Sequence, residues 1–279
     1  MGVCRRDSGP LSLRYWWSQA PDLGDTMDDA GSWVEYGPLE AELYDGSGRD
    51  EILDLYRSEA EGTAGTVLAA MCGTGDFLVP LVEDGLEVDG VDASQHMLGV
   101  LRGRCAAQGI EVKLYRQWMQ ALDLPRQYGY VFFPDRCFAM IADRDQALAC
   151  LEAVRRHMLA GGKLVLDVKQ PPAVLDGGDI PPAWEQRLTD GSLIKAVSAV
   201  QYEDNGRVWR VHTEKEVWRD GRLLGRETFD YRERFYRRGE LVGLLENAGF
   251  RDLEVKRAYD GGQPGAADGL VLVGYNADG

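Results

Sequence analysis

Residues 66–92, TVLAAMCGTGDFLVPLVEDGLEVDGVD, restrict the possible folds more than any other stretch of the chain. Thr66–Met71 is a short apolar run bounded by glycine, which reads as a strand buried on both faces. Gly73 and Gly75 then give the backbone freedom for a tight turn, with no Cβ to obstruct a ligand. The run from Asp76 to Val82 starts a helix that Asp84-Gly85 ends. Leu86–Val91 is the next strand, and Asp92 stands at its carboxyl end. In a doubly wound sheet ligands bind at that edge. A carboxylate there can accept from two ribose hydroxyls, because both its oxygens are acceptors. Strand, glycine turn, helix, strand and acid together point to a nucleoside site.

The nucleoside is narrowed by what is missing. A dinucleotide fingerprint needs a third glycine three residues after the second, and Leu78 stands there. No Gly-Lys-Ser/Thr triplet follows, as a P-loop would require. The short turn suits S-adenosylmethionine, which has a ribose and no phosphate. On these residues alone, a glycine turn in any α/β protein stays the plain alternative.

The surrounding pattern extends the core. Asp50–Tyr56 has the spacing of a short amphipathic helix. Ser94 is an N-cap for a helix carrying Met97, Val100, Leu101 and Cys105. Ile110, Val112 and Leu114 alternate as in a strand. Asp143 caps a helix with an apolar stripe from Ala147 to Met158, which Gly161 should end. Such alternation predicts an α/β fold, a doubly wound parallel sheet with helices on both faces. Between Gln170 and Arg234 the rhythm changes. After the turn-rich Pro171-Pro172, Gly177-Gly178 and Pro181-Pro182 come three extended runs, Leu193–Glu203, Arg207–Arg219 and Arg222–Arg234. Asn205-Gly206 and Asp220-Gly221 join them as hairpins. The expected organisation is an N-terminal extension over 1–32, with a Tyr15-Trp16-Trp17 cluster, and an α/β core over 33–169. An antiparallel insertion over 170–235, serving as substrate lid or dimer surface, precedes completion of the core over 236–279.

From about Tyr36 onward the chain resembles the class I S-adenosylmethionine-dependent methyltransferases, in the small-molecule branch with an antiparallel insertion. The motifs that carry the resemblance are Tyr44-Asp45, Cys72-Gly73-Thr74-Gly75, Val91-Asp92-Ala93-Ser94 with Met97, and Trp118-Met119. Val131-Phe132-Phe133-Pro134, Leu159–Val165 and Asn247-Ala248-Gly249-Phe250 complete the order. The resemblance implies a Rossmann-like, mostly parallel seven-stranded sheet and S-adenosyl-L-methionine as cofactor. It implies cofactor contacts from Tyr44, Cys72, Gly73, Thr74 and Gly75, then from Asp92, Ala93, Met97, Trp118, Met119 and Phe133. The implied activity is methyl transfer to nitrogen or oxygen of a small molecule in a biosynthetic pathway. Two positions depart from the pattern. Ala69 stands where an acid usually helps hold the cofactor's methionine end. Trp118 stands where an aspartate usually accepts from the adenine; its indole can stack but cannot accept, and Gln117, Gln120 or a backbone carbonyl are the substitutes. These departures keep open a second reading, a cofactor-binding protein of the same fold that does not methylate.

Catalytic candidates follow from the chemistry. Methyl transfer is an in-line displacement, so the protein mainly positions the acceptor, excludes water and removes a proton. Asp135 and Arg136 follow the fourth strand at the rim, and His212 lies on the insertion, alternating with Arg210, Glu214 and Glu216. Asp135 can take a proton or bind a cation, and Arg136 can bind a carboxylate or phosphate. Each has a plain alternative, a surface salt bridge or a solvated strand face. His96 and His157 read as surface residues, and Cys72 as packing rather than a nucleophile.

Composition bounds the partners. The formal net charge of −15 argues against nucleic acid or an anionic membrane as the main partner. No apolar stretch is long enough to span a bilayer, and no signal-peptide pattern opens the sequence. Five cysteines without CxxC spacing suggest neither a disulfide framework nor a zinc or other metal site. The expectation is a reduced, cytoplasmic protein with a small-molecule acceptor, and a homodimer is compatible with the insertion.

Overall fold

The computed structural model describes residues 36–44, 50–171, 182–188, 190–257 and 269–277. The extension over 1–32 with its aromatic cluster, Asp45 and Gly177-Gly178 lie outside the described residues. Two helices precede the sheet, α1 (Pro38–Leu43) and α2 (Asp50–Ala60). β1 (Val67–Ala70) then runs into the glycine turn, α3 (Leu78–Glu83) follows, and β2 (Val88–Asp92) ends on the acid. All of β1 is buried, as a strand covered on both faces must be. The helix is shorter than the apolar run suggests, because Asp76 and Phe77 still belong to the turn.

Ser94 caps α4 (Gln95–Gln108) by accepting from the Met97 N–H at 3.2 Å, and Gly109 closes the helix in the left-handed region. β3 (Leu114–Arg116), β4 (Tyr128–Phe133), α5 (Arg144–Arg156) and β5 (Met158–Val168) follow, with Asp143 capping α5. Two expected boundaries move. Ile110 and Val112 pack on the core ahead of β3 instead of forming it. α5 stops at Arg156, and Met158 and Gly161 belong to β5. The pairs Tyr128–Met158 and Tyr130–Lys163 enclose a bulge in β5, and Gly161 at φ 69° supplies its left-handed step. His157 is tied down rather than free on the surface. Its Nδ1 lies 2.8 Å from the Ala153 carbonyl and its Nε2 accepts from the Leu124 N–H at 3.0 Å, partners that assign the proton to Nδ1.

α6 (Arg238–Asn247), β10 (Phe250–Arg257) and β11 (Leu270–Asn276) complete a seven-stranded sheet of order β10-β11-β5-β4-β1-β2-β3. Only β11 runs against the others, pairing antiparallel with both β10 and β5. Alternate residues of β1 and β4 feed two apolar clusters: Leu68, Ala70, Val131 and Phe133 enter one, Val67, Ala69, Tyr130 and Phe132 the other. The order reverses where β1 lies between β2 and β4, which sets a crevice at the carboxyl ends there.

A second, antiparallel sheet has four strands in the order β6-β7-β8-β9. β7 (Leu193–Glu203), β8 (Val208–Arg219) and β9 (Arg222–Arg234) form the expected meander. β6 (Ala183–Arg187) is additional; it is a short polar edge strand next to Pro182, so neither apolar run nor alternation marks it. The tight turns have the expected chemistry: Asn205 and Gly206 at φ 55° and 80°, Asp220 and Gly221 at 50° and 75°. Arg234, buried, docks this sheet on the core by donating from Nε to the Ala142 carbonyl at 2.6 Å. Among the described residues no helix is long and apolar enough to cross a membrane.

Candidate active site

A cavity of about 280 Å³ opens at the switch point, near the lower end of small-molecule pockets. One wall is the turn after β1. The Gly73 N–H donates to Asp92 Oδ2 at 2.9 Å, and the Ser94 N–H donates to Oδ1 at 2.8 Å. Two backbone donors therefore orient the Asp92 carboxylate. A Cβ built on Gly73, at φ 55°, would meet nothing within 4 Å, so a ligand can approach this backbone closely. Gly75 has another job. A Cβ there would sit 2.2 Å from Leu101 Cδ1, so this glycine lets the turn pack on α4 and does not line the cavity.

The expected cofactor residues separate accordingly. Cys72, Gly73, Thr74, Asp92, Ala93 and Met97 line the cavity, and so do Tyr44, Trp118 and Met119. Gly75 and Phe133 do not. The Phe133 ring is fully buried and packs edge-on against Phe138, with centroids 5.3 Å apart. Burial raises the Cys72 thiol well above its usual range, in keeping with a packing role. Trp118 borders the cavity just before a 3₁₀ turn over Met119–Ala121. Gln117 is committed elsewhere, because its amide exchanges two hydrogen bonds with the Asp123 backbone at 2.9 and 2.8 Å. The arrangement fits a ligand with a flat base near Trp118 and Met119 and a ribose at Asp92.

Asp135 and Arg136 also line the cavity, on a rim turn in which both have positive φ, 47° and 64°. A buried tyrosine supports this strained turn. Tyr56 Oη accepts from the Asp135 N–H at 3.1 Å and donates to Asp167 Oδ1 at 2.6 Å. Burial and the adjacent Asp167 carboxylate hold the Tyr56 phenol well above its usual range, so it remains a donor. Arg136 pairs with Asp135 at 3.2 Å.

His212 is not at the cavity. It lies opposite Asp230 on β9 and contacts that carboxylate at 2.7 Å, on the face away from the site. The wall is built instead by Phe229, Tyr231 and Glu233. A bulge in β9 sets which of its residues share a face with His212. Trp218 pairs with Leu223 but Val217 pairs with Gly225, so Leu224 is an extra residue. In the register of the Trp218–Leu223 pair His212 would fall opposite Phe229; the bulge changes the phase of β9 so that Asp230 meets it instead. The odd-numbered alternation Phe229, Tyr231, Glu233 was the signal that could have found this wall. Tyr36 closes the mouth, its ring 4.6 Å from Phe229 and its carbonyl accepting from Ser94 Oγ at 2.7 Å. Asp76, Asp135 and Glu233 outweigh Arg136 and Lys169 around the cavity, and with Asp92 they favour a cationic occupant.

Comparison with known proteins agrees with this geometry. The family described as "Methyltransferase domain" matches residues 67–162, from β1 into β5. A curated relative from Geobacillus sp. (strain WCH70), named "Putative methyltransferase GWCH70_2453", is 27% identical over 112 residues, 40% of this chain. The chain spans only 38% of that relative's length. Among solved structures, an S-adenosylmethionine-dependent methyltransferase from Clostridium acetobutylicum ATCC 824 has a TM-score of 0.71 at 18% identity, covering 84% of this chain and 94% of that one. The sugar N-methyltransferase KedS8 from Streptoalloteichus sp ATCC 53650 has a TM-score of 0.63 at 21% identity, covering 100% of this chain and 97% of its own.

Proposed function

We propose that this chain, which belongs by its core to the class I S-adenosylmethionine-dependent methyltransferases, methylates an amine nitrogen of a small hydroxylated molecule. The reading rests on one observation above all. The Asp92 carboxylate, fixed by two backbone N–H groups, stands in a cavity whose other wall belongs to the second sheet. One crevice can thus hold a nucleoside and an acceptor together. Bound S-adenosylmethionine supplies an electrophilic methyl on a sulfonium. Asp92 would accept from the ribose hydroxyls, and Trp118 would stack on the adenine.

The chain's remaining task is to position the acceptor and move a proton. An ammonium cannot attack until deprotonated, and Asp135 and Glu233 are the carboxylates at the cavity that can take that proton. The acidic lining and the shared fold with a sugar N-methyltransferase support nitrogen over oxygen. Phe229 and Tyr231 would shield the site from water and present flat apolar surface to the acceptor. We assign the second sheet to acceptor selection and residues 33–169 to the cofactor. A cytoplasmic location is part of the same proposal, supported by the free cysteines at 72, 105, 137 and 150.

The test is incubation with S-adenosylmethionine and a panel of amino sugars and small amines, followed by mass spectrometry. S-adenosylhomocysteine and a singly methylated acceptor should appear together. A chain that binds S-adenosylmethionine yet methylates no member of a broad panel of amines and alcohols would favour the non-methylating reading.

A further inference from the structure

We infer that Asp76 is the carboxylate that holds the α-ammonium group of the bound S-adenosylmethionine. The inference rests on the cofactor reading above. Asp76 follows the glycine turn, lines the cavity, and its side chain is only 13% exposed. Its two oxygens are unequal. Arg104, reaching over from α4, donates to Oδ1 and also to the Thr74 carbonyl at 2.9 Å. Oδ2 is buried and has no hydrogen-bond partner.

A buried, unpaired carboxylate oxygen is costly, and folded proteins seldom keep one without use. Here Arg104 anchors one oxygen, so the chain holds a carboxylate beside the cavity without filling it. The torsion about an aspartate Cβ–Cγ bond is broad and two-fold. A small rotation therefore turns Oδ2 toward the cavity while Oδ1 keeps its arginine. Gly73, three residues earlier, also lines the cavity and leaves open space there. An ammonium carries three donors and a positive charge, which is what this oxygen needs. Ala69, where the family resemblance leads one to expect an acid, is 1% exposed and packed in the core. On this inference Asp76, after the turn, supplies the acid that Ala69 does not.

The test compares S-adenosylhomocysteine with its deaminated analogue, with 5′-methylthioadenosine (which lacks the whole amino-acid tail) as reference. Each is titrated calorimetrically into the full chain and into Asp76→Asn. In the unmodified protein the deaminated analogue should bind about ten- to a hundred-fold more weakly than S-adenosylhomocysteine, the range of a charge-assisted hydrogen bond. In Asp76→Asn that difference should largely disappear, with 5′-methylthioadenosine binding unchanged. If Asp76→Asn does not fold, Asp76→Ser is measured in the same cycle. Equal binding of the two ligands by the unmodified protein overturns the inference without any variant. A full difference persisting in the variant overturns it too. Failure of the unmodified protein to bind any of the three ligands would instead reject the cofactor reading itself.

Discussion

Each residue of the glycine turn answers a different physical demand, and paired substitutions can separate them. Gly75→Ala would force a methyl group into Leu101 at φ 88°, so we expect a loss of about 1–3 kcal/mol in stability by denaturant unfolding. Gly73→Ala meets open space and should cost only about 1–2 kcal/mol for its left-handed backbone. Its methyl group would, however, enter the cavity and weaken S-adenosylhomocysteine binding. Equal effects of both variants on stability and binding would contradict this division. Asp92→Ala should weaken the same ligand by about 1–3 kcal/mol in calorimetry, the value of charge-assisted hydrogen bonds to a diol. Unchanged affinity in a folded variant would remove the ribose assignment. Tyr56→Phe deletes the hydroxyl between Asp167 and the Asp135 N–H, leaving both without that partner. We expect a destabilisation of about 1–3 kcal/mol, and a loss below about 0.5 kcal/mol would show that the rim turn holds without it.

At the scale of elements, the legible parts were those written in local chemistry. The apolar run, glycine turn and terminal acid located β1, β2 and Asp92, and Asn205-Gly206 with Asp220-Gly221 located both hairpins of the second sheet. Three features were not legible, each for a physical reason. β6 is a polar edge strand whose pairing comes from β7, so its own residues carry little pattern. Gly161 has the chemistry of a helix end and serves a strand bulge instead. The direction His212 faces was not legible, because which side of β8 meets the cavity is set by how the second sheet packs on the core, not by the alternation within the strand. The cavity lining therefore moves our proposed acceptor contacts from β8 to β9. His212→Ala should leave cofactor affinity within about 0.5 kcal/mol and acceptor turnover nearly unchanged, as for a substitution away from the site. Glu233→Gln should lower turnover while leaving cofactor affinity within the same span. Kinetics on the two variants in parallel decide between the strands, and the reverse ranking would return the acceptor wall to β8.

For the whole molecule, we propose that the two sheets divide the labour: residues of the parallel one and of the antiparallel one line the same cavity, the first for the nucleoside and the second for the acceptor. Arg234 fixes one junction, and Glu227, accepting from the Leu39 N–H at 2.9 Å, fixes another between β9 and α1. The net charge of −15 and the carboxylates around the cavity suit cationic ligands at both scales. The central claim is that this crevice binds S-adenosylmethionine through Asp92. Calorimetric titration of the full chain with S-adenosylmethionine, beside Asp92→Ala, measures it directly. The account predicts saturable single-site binding that weakens by about 1–3 kcal/mol in the variant. Absence of saturable binding by the folded, unmodified chain would contradict it.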